Sequence, residues 1–155
     1  MMLLEGCVPY KEEDAEKYNH LRWWAGRTFG DLLDRAADIY PDKEALVDHD
    51  RRFTYAQVRE RVDRLAVSLM DLNINPLDRA MIQLPNWHEF VFSYFALQKI
   101  GAIPILLNPR YREYEINHIA RLTSASSWIL PRASSISDCT RTMPTRDCMA
   151  SCNAY

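Results

Sequence analysis

The chain has 155 residues, of which 48% are hydrophobic and 26% charged, with a formal net charge of −2, a composition that suits one globular domain with its own core. Without a basic field or a run of like charge, nucleic acid is not an expected partner. No apolar run approaches the roughly 20 residues that span a bilayer, and the opening MMLLEGCVPYKEEDAEK has no charged-then-apolar leader pattern, so a cytoplasmic protein is expected.

Residues 1–27 read as an N-terminal arm. Within it, Lys11 to Trp24 is charged and then aromatic, which predicts a short helix whose Tyr18, Leu21, Trp23 and Trp24 end lies on the body of the domain. Thr28 then opens a helix with Asp31 in its first turn and Phe29, Leu32, Leu33, Ala36, Ile39 and Tyr40 at helical spacing, stopped by Pro41. Ala45 to Val47 and Arg52-Phe53 predict a hairpin joined by DHDR, a connection without the usual glycine. Thr54 and Gln57 form a capping box that opens an amphipathic helix. Its inner face is Tyr55, Val58, Val62, Leu65, Ala66, Leu69 and Leu72, and Arg59, Glu60, Arg61, Asp63 and Arg64 form a solvated outer face.

After the turn Asn73 to Asp78, the stretch from Leu77 to Pro109 reads as strand, helix, strand. Arg79 to Leu84 is a short apolar run ended by Pro85-Asn86. Asn86 is expected to cap the next helix together with Glu89, and a helix carrying Trp87, Phe90, Val91, Tyr94, Phe95, Leu97 and Ile100 is mostly buried. Its narrow polar flank is His88, Glu89, Ser93, Gln98 and Lys99. Gly101 suits a left-handed cap, and Ile103 to Leu107 returns as a strand parallel to the first. Pro104 inside that strand argues for an edge position. A further helix over RYREYEINHIARLTSA places Tyr114, Ile116, Ile119, Ala120 and Leu122 inward, and Ser127 to Leu130 is a final strand. The order predicts an α/β fold, a mostly parallel sheet with flanking helices over residues 28–131.

In such sheets sites lie outside the carboxyl ends of the strands. That singles out Pro85-Asn86 and Asn108-Pro109-Arg110-Tyr111, although Asn86 reads first as a cap, Asn108 as a turn former and Arg110 as a surface charge. The four glycines, Gly6, Gly26, Gly30 and Gly101, are too scattered for a phosphate-cradling loop. His20, His49, His88 and His118 have no metal spacing and no nucleophile beside them, and read as surface or cap residues. Cys7, Cys139, Cys148 and Cys152 contain no CxxC. They read as free thiols, with a zinc site as an alternative resting on spacing alone.

The segment from Thr28 to Leu130 resembles the N-terminal portion of the adenylate-forming, AMP-dependent acid synthetases and ligases. The resemblance is carried by Phe53-Thr54-Tyr55, Leu65-Ala66, Asp78-Arg79, Gln83-Leu84-Pro85-Asn86, Phe95-Ala96, Gly101-Ala102-Ile103-Pro104 and Asn108-Pro109. Tyr18 to Trp24 is similar to the arm of aryl-acid enzymes such as 2,3-dihydroxybenzoate–AMP ligases, whereas Asn108 to Tyr111 is closer to acyl-CoA synthetases. The resemblance implies a full-length enzyme that joins a carboxylic acid to ATP, with magnesium, and passes the acyl group to CoA or a carrier-protein thiol. It also implies a phosphate loop ending in Pro-Lys and a lysine on a mobile C-terminal domain, and neither has a counterpart here. No catalytic or metal residue carries over, cofactor-binding residues stay unassigned, and neither ATP nor Mg2+ is expected to bind tightly to this chain.

From Arg132 to Tyr155 the pattern is lost in favour of Ser, Thr and Cys, which predicts an irregular, disordered tail and suggests a frameshift or premature stop in a longer ligase gene. The chain is thus expected to be an inactive ligase fragment. Two alternatives stay open: a small stand-alone module binding a nucleotide or acid at Asn86 and Asn108, and a non-catalytic interaction protein that self-associates through apolar surface such as the Trp87 to Ile100 helix.

Overall fold

The computed structural model describes residues 8–49 and 51–131. The four cysteines and the tail 132–155 lie outside the described residues. Five helices and five strands follow in order among those described: α1 (Glu12–His20), α2 (Phe29–Ile39), β1 (Glu44–Asp48), β2 (Arg51–Thr54), α3 (Tyr55–Asp71), β3 (Arg79–Ile82), α4 (His88–Lys99), β4 (Ile103–Leu106), α5 (Glu113–Thr123) and β5 (Ser127–Ile129). β1 and β2 form an antiparallel hairpin, and the other three make a parallel sheet in the order β4-β3-β5.

The central strand explains the layers. Ala80 and Ile82 of β3 join the main core with Val58, Val62, Leu69, Phe92 and Leu97, while Met81 between them joins a second cluster with Leu107 and Ile116. Successive side chains of a strand alternate between faces, so β3 is covered on both sides and its sequence is apolar without alternation. On one side α2, α3 and α4 pack against one another, with the hairpin resting on α3 and α4. The other side carries α5.

Local chemistry sets the element ends. Thr28 with Asp31 and Thr54 with Gln57 form reciprocal capping boxes at α2 and α3, each satisfying two backbone N–H groups that a helix start leaves without intrahelical partners. At the end of α4, Gly101 takes φ +76° while its N–H donates to the Gln98 carbonyl and Ala102 N–H to that of Leu97, a Schellman closure. His49, at φ 49°, takes the left-handed turn position of the hairpin that lacks glycine.

Pro104 lies on edge strand β4. Ile103 and Leu107 N–H donate toward the β3 side, to the Asp78 and Ile82 carbonyls, so the missing N–H of Pro104 falls on the outer edge and removes no ladder bond.

Four expectations are corrected. The aromatic end of α1 does not lie on the body: α1 has no buried residue, and Tyr10, Tyr18, Trp23 and Trp24 pack on one another instead, Trp23 being 68% exposed. Tyr114 and Leu122 face outward at 84% and 75% exposure, because α5 starts at Glu113 and turns only Ile116 fully inward, with Ile119 and Ala120 beside it. The outer face of α3 is not simply solvated. Glu60 and Arg64 do form an exposed pair, but Arg59 reaches Asp38 of α2, Arg61 lies over the Phe53 ring, and Asp63 shares Lys99 of α4 with Asp34 of α2. Finally, α4 is not the exposed apolar surface. Trp87 alone among its large apolar residues is exposed, and the uncovered apolar face belongs to α2, through Phe29, Leu32, Ile39 and Tyr40.

Candidate functional site

Two constellations stand at or beside the carboxyl edge of the sheet. The first is built on Gln83, the residue after β3. Its N–H extends the pairing to β5 by donating to the Ile129 carbonyl at 3.0 Å, and its buried side-chain Nε2 donates to the carbonyls of Tyr111 at 2.9 Å and Asn108 at 3.3 Å, with that of Pro109 at 3.5 Å. An amide nitrogen has two hydrogens, so these carbonyls share them. Asn108 Oδ1 accepts from Arg110 N–H at 2.9 Å, and Tyr111 N–H donates to the Asn108 carbonyl at 3.0 Å. The turn after β4 is therefore fastened to the end of β3, with Asn108 as the expected turn former and Arg110 exposed.

The second constellation starts α4 and corrects the expected cap. Asn86 is exposed and lies one residue outside the cap position, which Trp87 occupies without a side-chain bond. The acceptor comes from the hairpin instead. Asp48 Oδ2 accepts from the backbone N–H of His88 at 2.9 Å and stands 2.6 Å from His88 Nδ1. His88 Nε2 lies 3.0 Å from Arg51 Nη1 and 3.1 Å from Glu89 Oε1. His88 is thus neither a surface residue nor a polar flank. It is 5% exposed, packed against the rings of Phe53 and Phe92, which also touch each other, and Ser93 of the same flank is buried too. The hydrogen bonds from the His88 side chain and backbone hold the Asp48 carboxyl below the usual carboxylate range.

Asp48, His88 and Glu89 each bring one potential ligand atom within 4.8 Å of the others. Their directions diverge, however: Asp48 faces Nδ1 and Glu89 faces Nε2, so one ion bound to either nitrogen faces only one carboxylate, and the Arg51 guanidinium stands at Nε2. The arrangement suits a proton better than a metal. The carboxyl-edge loops likewise do not fit a nucleoside triphosphate with its magnesium. The carbonyls of Asn108 and Tyr111 turn inward onto Gln83, that of Pro85 accepts from Trp87 N–H, and the scattered glycines provide no row of backbone N–H donors. His20, His49 and His118 are exposed and the structure does not bring them together.

Sequence reasoning placed the loops but missed Gln83, Asp48 and the burial of His88. Gln83 carried a signal, a polar residue continuing an apolar strand. Asp48 carried none, because its partner lies forty residues away.

Comparisons with known proteins agree with this architecture. The family model for AMP-binding enzymes matches residues 33–153. Triostin synthetase I of Streptomyces triostinicus is 41% identical over 126 residues, covering 81% of this chain and 24% of that protein. The 2,3-dihydroxybenzoate-AMP ligase of Bacillus subtilis is 40% identical over 131 residues, covering 84% of this chain and 24% of the ligase. Among solved structures, apo MbtA of Mycobacterium smegmatis superposes with a TM-score of 0.74 at 36% identity, covering 79% of this chain and 23% of that one.

The fold is that of the N-terminal part of adenylate-forming enzymes. This chain belongs to the AMP-binding enzyme family. It spans about a quarter of the length of the curated relatives it matches.

Proposed function

We propose that this chain supplies the N-terminal scaffold of an ATP-dependent aryl-acid–AMP ligase and forms no adenylate unaided. The observation that carries the reading is the carboxyl edge: the turn after β4 is locked to the end of β3 by one buried amide, with no glycine-rich donor array for a triphosphate in either loop. Similarity to a 2,3-dihydroxybenzoate-AMP ligase over most of the chain favours an aryl acid as the substrate of the whole enzyme. ATP with magnesium, and transfer to CoA or a carrier-protein thiol, belong to parts of such enzymes that lie beyond the matched quarter. No helix among the described residues is long and apolar enough to cross a membrane.

ATP–pyrophosphate exchange with 2,3-dihydroxybenzoate, salicylate and a set of fatty acids tests the proposal. The expected result is exchange at the level of a no-protein control, and robust exchange with any acid overturns it. The outer face of α2, Phe29 at 55% and Leu32 at 50% exposure beside Ile39 and Tyr40, favours self-association in addition. Mass by light scattering should then rise with concentration, and a monomer throughout removes that part of the reading.

A further inference from the structure

The cluster around His88 has a feature that capping a helix does not require. A guanidinium only donates hydrogen bonds. With Arg51 Nη1 at 3.0 Å, a neutral His88 presents its Nε2 lone pair to the guanidinium, which leaves the imidazole hydrogen on Nδ1 to be donated to Asp48 Oδ2 at 2.6 Å. Glu89 Oε1, 3.1 Å from the same Nε2, then has no hydrogen to accept there, and its other oxygen, Oε2, is buried with no partner. One nitrogen thus faces a donor and an acceptor that it cannot serve in the same protonation state.

We propose that His88 is a proton-operated clamp between the β1–β2 hairpin and α4: neutral, it holds Arg51, and protonated, it gives up Arg51 and donates Nε2–H to Glu89. The step adds one proton to the Nε2 lone pair and breaks no covalent bond. Afterwards the cation lies between two carboxylates, Asp48 and Glu89, while the Arg51 guanidinium meets a nitrogen that repels it. Among the described residues, the charged groups facing the ring are few. They are Asp48 from β1, with His49 3.8 Å from its outer oxygen, Arg51 from β2, and Glu89 from α4 itself. From α3, Arg61 lies over the Phe53 ring, which itself packs on His88. Because Asp48 also caps α4 just after the Pro85-Asn86 loop, the device acts beside the carboxyl edge of the sheet.

The test is nitrogen-15 NMR of the imidazoles in the full chain, with amide hydrogen exchange of β2, from pH 8 to pH 5.5. At pH 8 the wild type should show hydrogen on Nδ1 of His88 and none on Nε2. On acidification both nitrogens should carry hydrogen, and exchange at Arg51 to Phe53, corrected for its intrinsic pH dependence, should rise about threefold or more as the hairpin loosens. Arg51→Met removes the donor and should allow the Nε2–H form at pH 8. Glu89→Gln removes the waiting carboxylate and should retain less than about half of the acid-induced rise in exchange. Both positions lie at the edge of the cluster, and dispersed amide spectra of the variants would verify their folding. An Nε2–H form in the wild type at pH 8, Arg51→Met keeping the wild-type pattern, or hairpin exchange indifferent to imidazole protonation would each overturn the proposal.

Discussion

At the scale of single residues, the positions that matter most are those where one side chain answers several backbone groups. Replacing Gln83 by Met keeps the volume but takes the Gln83 donor from the Tyr111 carbonyl and leaves that of Asn108 with Tyr111 N–H alone. Because buried polar groups are costly to leave unpaired, a loss of about 1–3 kcal/mol is expected in urea unfolding, with faster amide exchange at Tyr111. Gly101→Ala should cost about 1–2 kcal/mol in the same measurement, since φ +76° strains any L side chain even though the added Cβ would meet Pro76 only at ordinary contact distance. Asp48 behaves differently, because its contribution depends on pH. Its pKa is lowered by hydrogen bonds present only in the folded protein, so the stability it brings is complete above the usual carboxylate range and disappears as pH falls through the depressed value. Acid unfolding of Asp48→Asn followed by circular dichroism should accordingly show a shallower dependence on pH below about 4 than the wild type.

At the scale of elements, helices with a strong local signal and a covered face form as their residues suggest. Thr54 and Gln57 announce α3, and its Val58, Val62, Ala66 and Leu69 are buried as the three-and-four spacing requires. The Gly101 cap and the final strand were legible for the same reason, since each depends on chemistry within a few residues, and the pairing of β3 with β4 followed from the helix that joins two apolar runs. What could not be read locally was decided by distant partners. Asn86 looks like a cap, but the hairpin brings Asp48 to that post, and His88 looks polar and external until Phe53 and Phe92 close around it. The apolar spacing of α2 and α5 overstated their burial because periodicity reports a face without reporting what covers it. These differences predict unequal sensitivity. Phe92→Ala, at the meeting of α4 with the core, should lose about 3–5 kcal/mol in a denaturant titration, whereas Trp23→Ala in the arm should stay within about 0.5 kcal/mol of wild type.

At the scale of the molecule, the helices on the α2 side are tied by charge as well as by apolar contact. Lys99 of α4 contacts both Asp34 and Asp63, from α2 and α3, and Gly30 keeps the space that its aliphatic stem fills. Partial burial alone would lower the Lys99 pKa, but the hydrogen bonds to Asp34 and Asp63 outweigh it, and the value is raised. The sign is then clear: the contribution is whole below the ordinary lysine range and is lost as pH rises through the higher folded value. Thermal melts should therefore fall off above about pH 10.5, and Lys99→Met should flatten that alkaline decline.

Pro104 has a consequence for how this sheet meets other polypeptides. A strand arriving along β4 would find a gap in the row of hydrogen-bond donors, whereas one arriving along β5 meets no proline. The sheet is in that sense one-handed in its sociability: proline discourages growth by a further strand on one flank and not on the other. Restoring the donor with Pro104→Val should make the guarded flank adhesive, visible as faster thioflavin-positive aggregation at unchanged fold content.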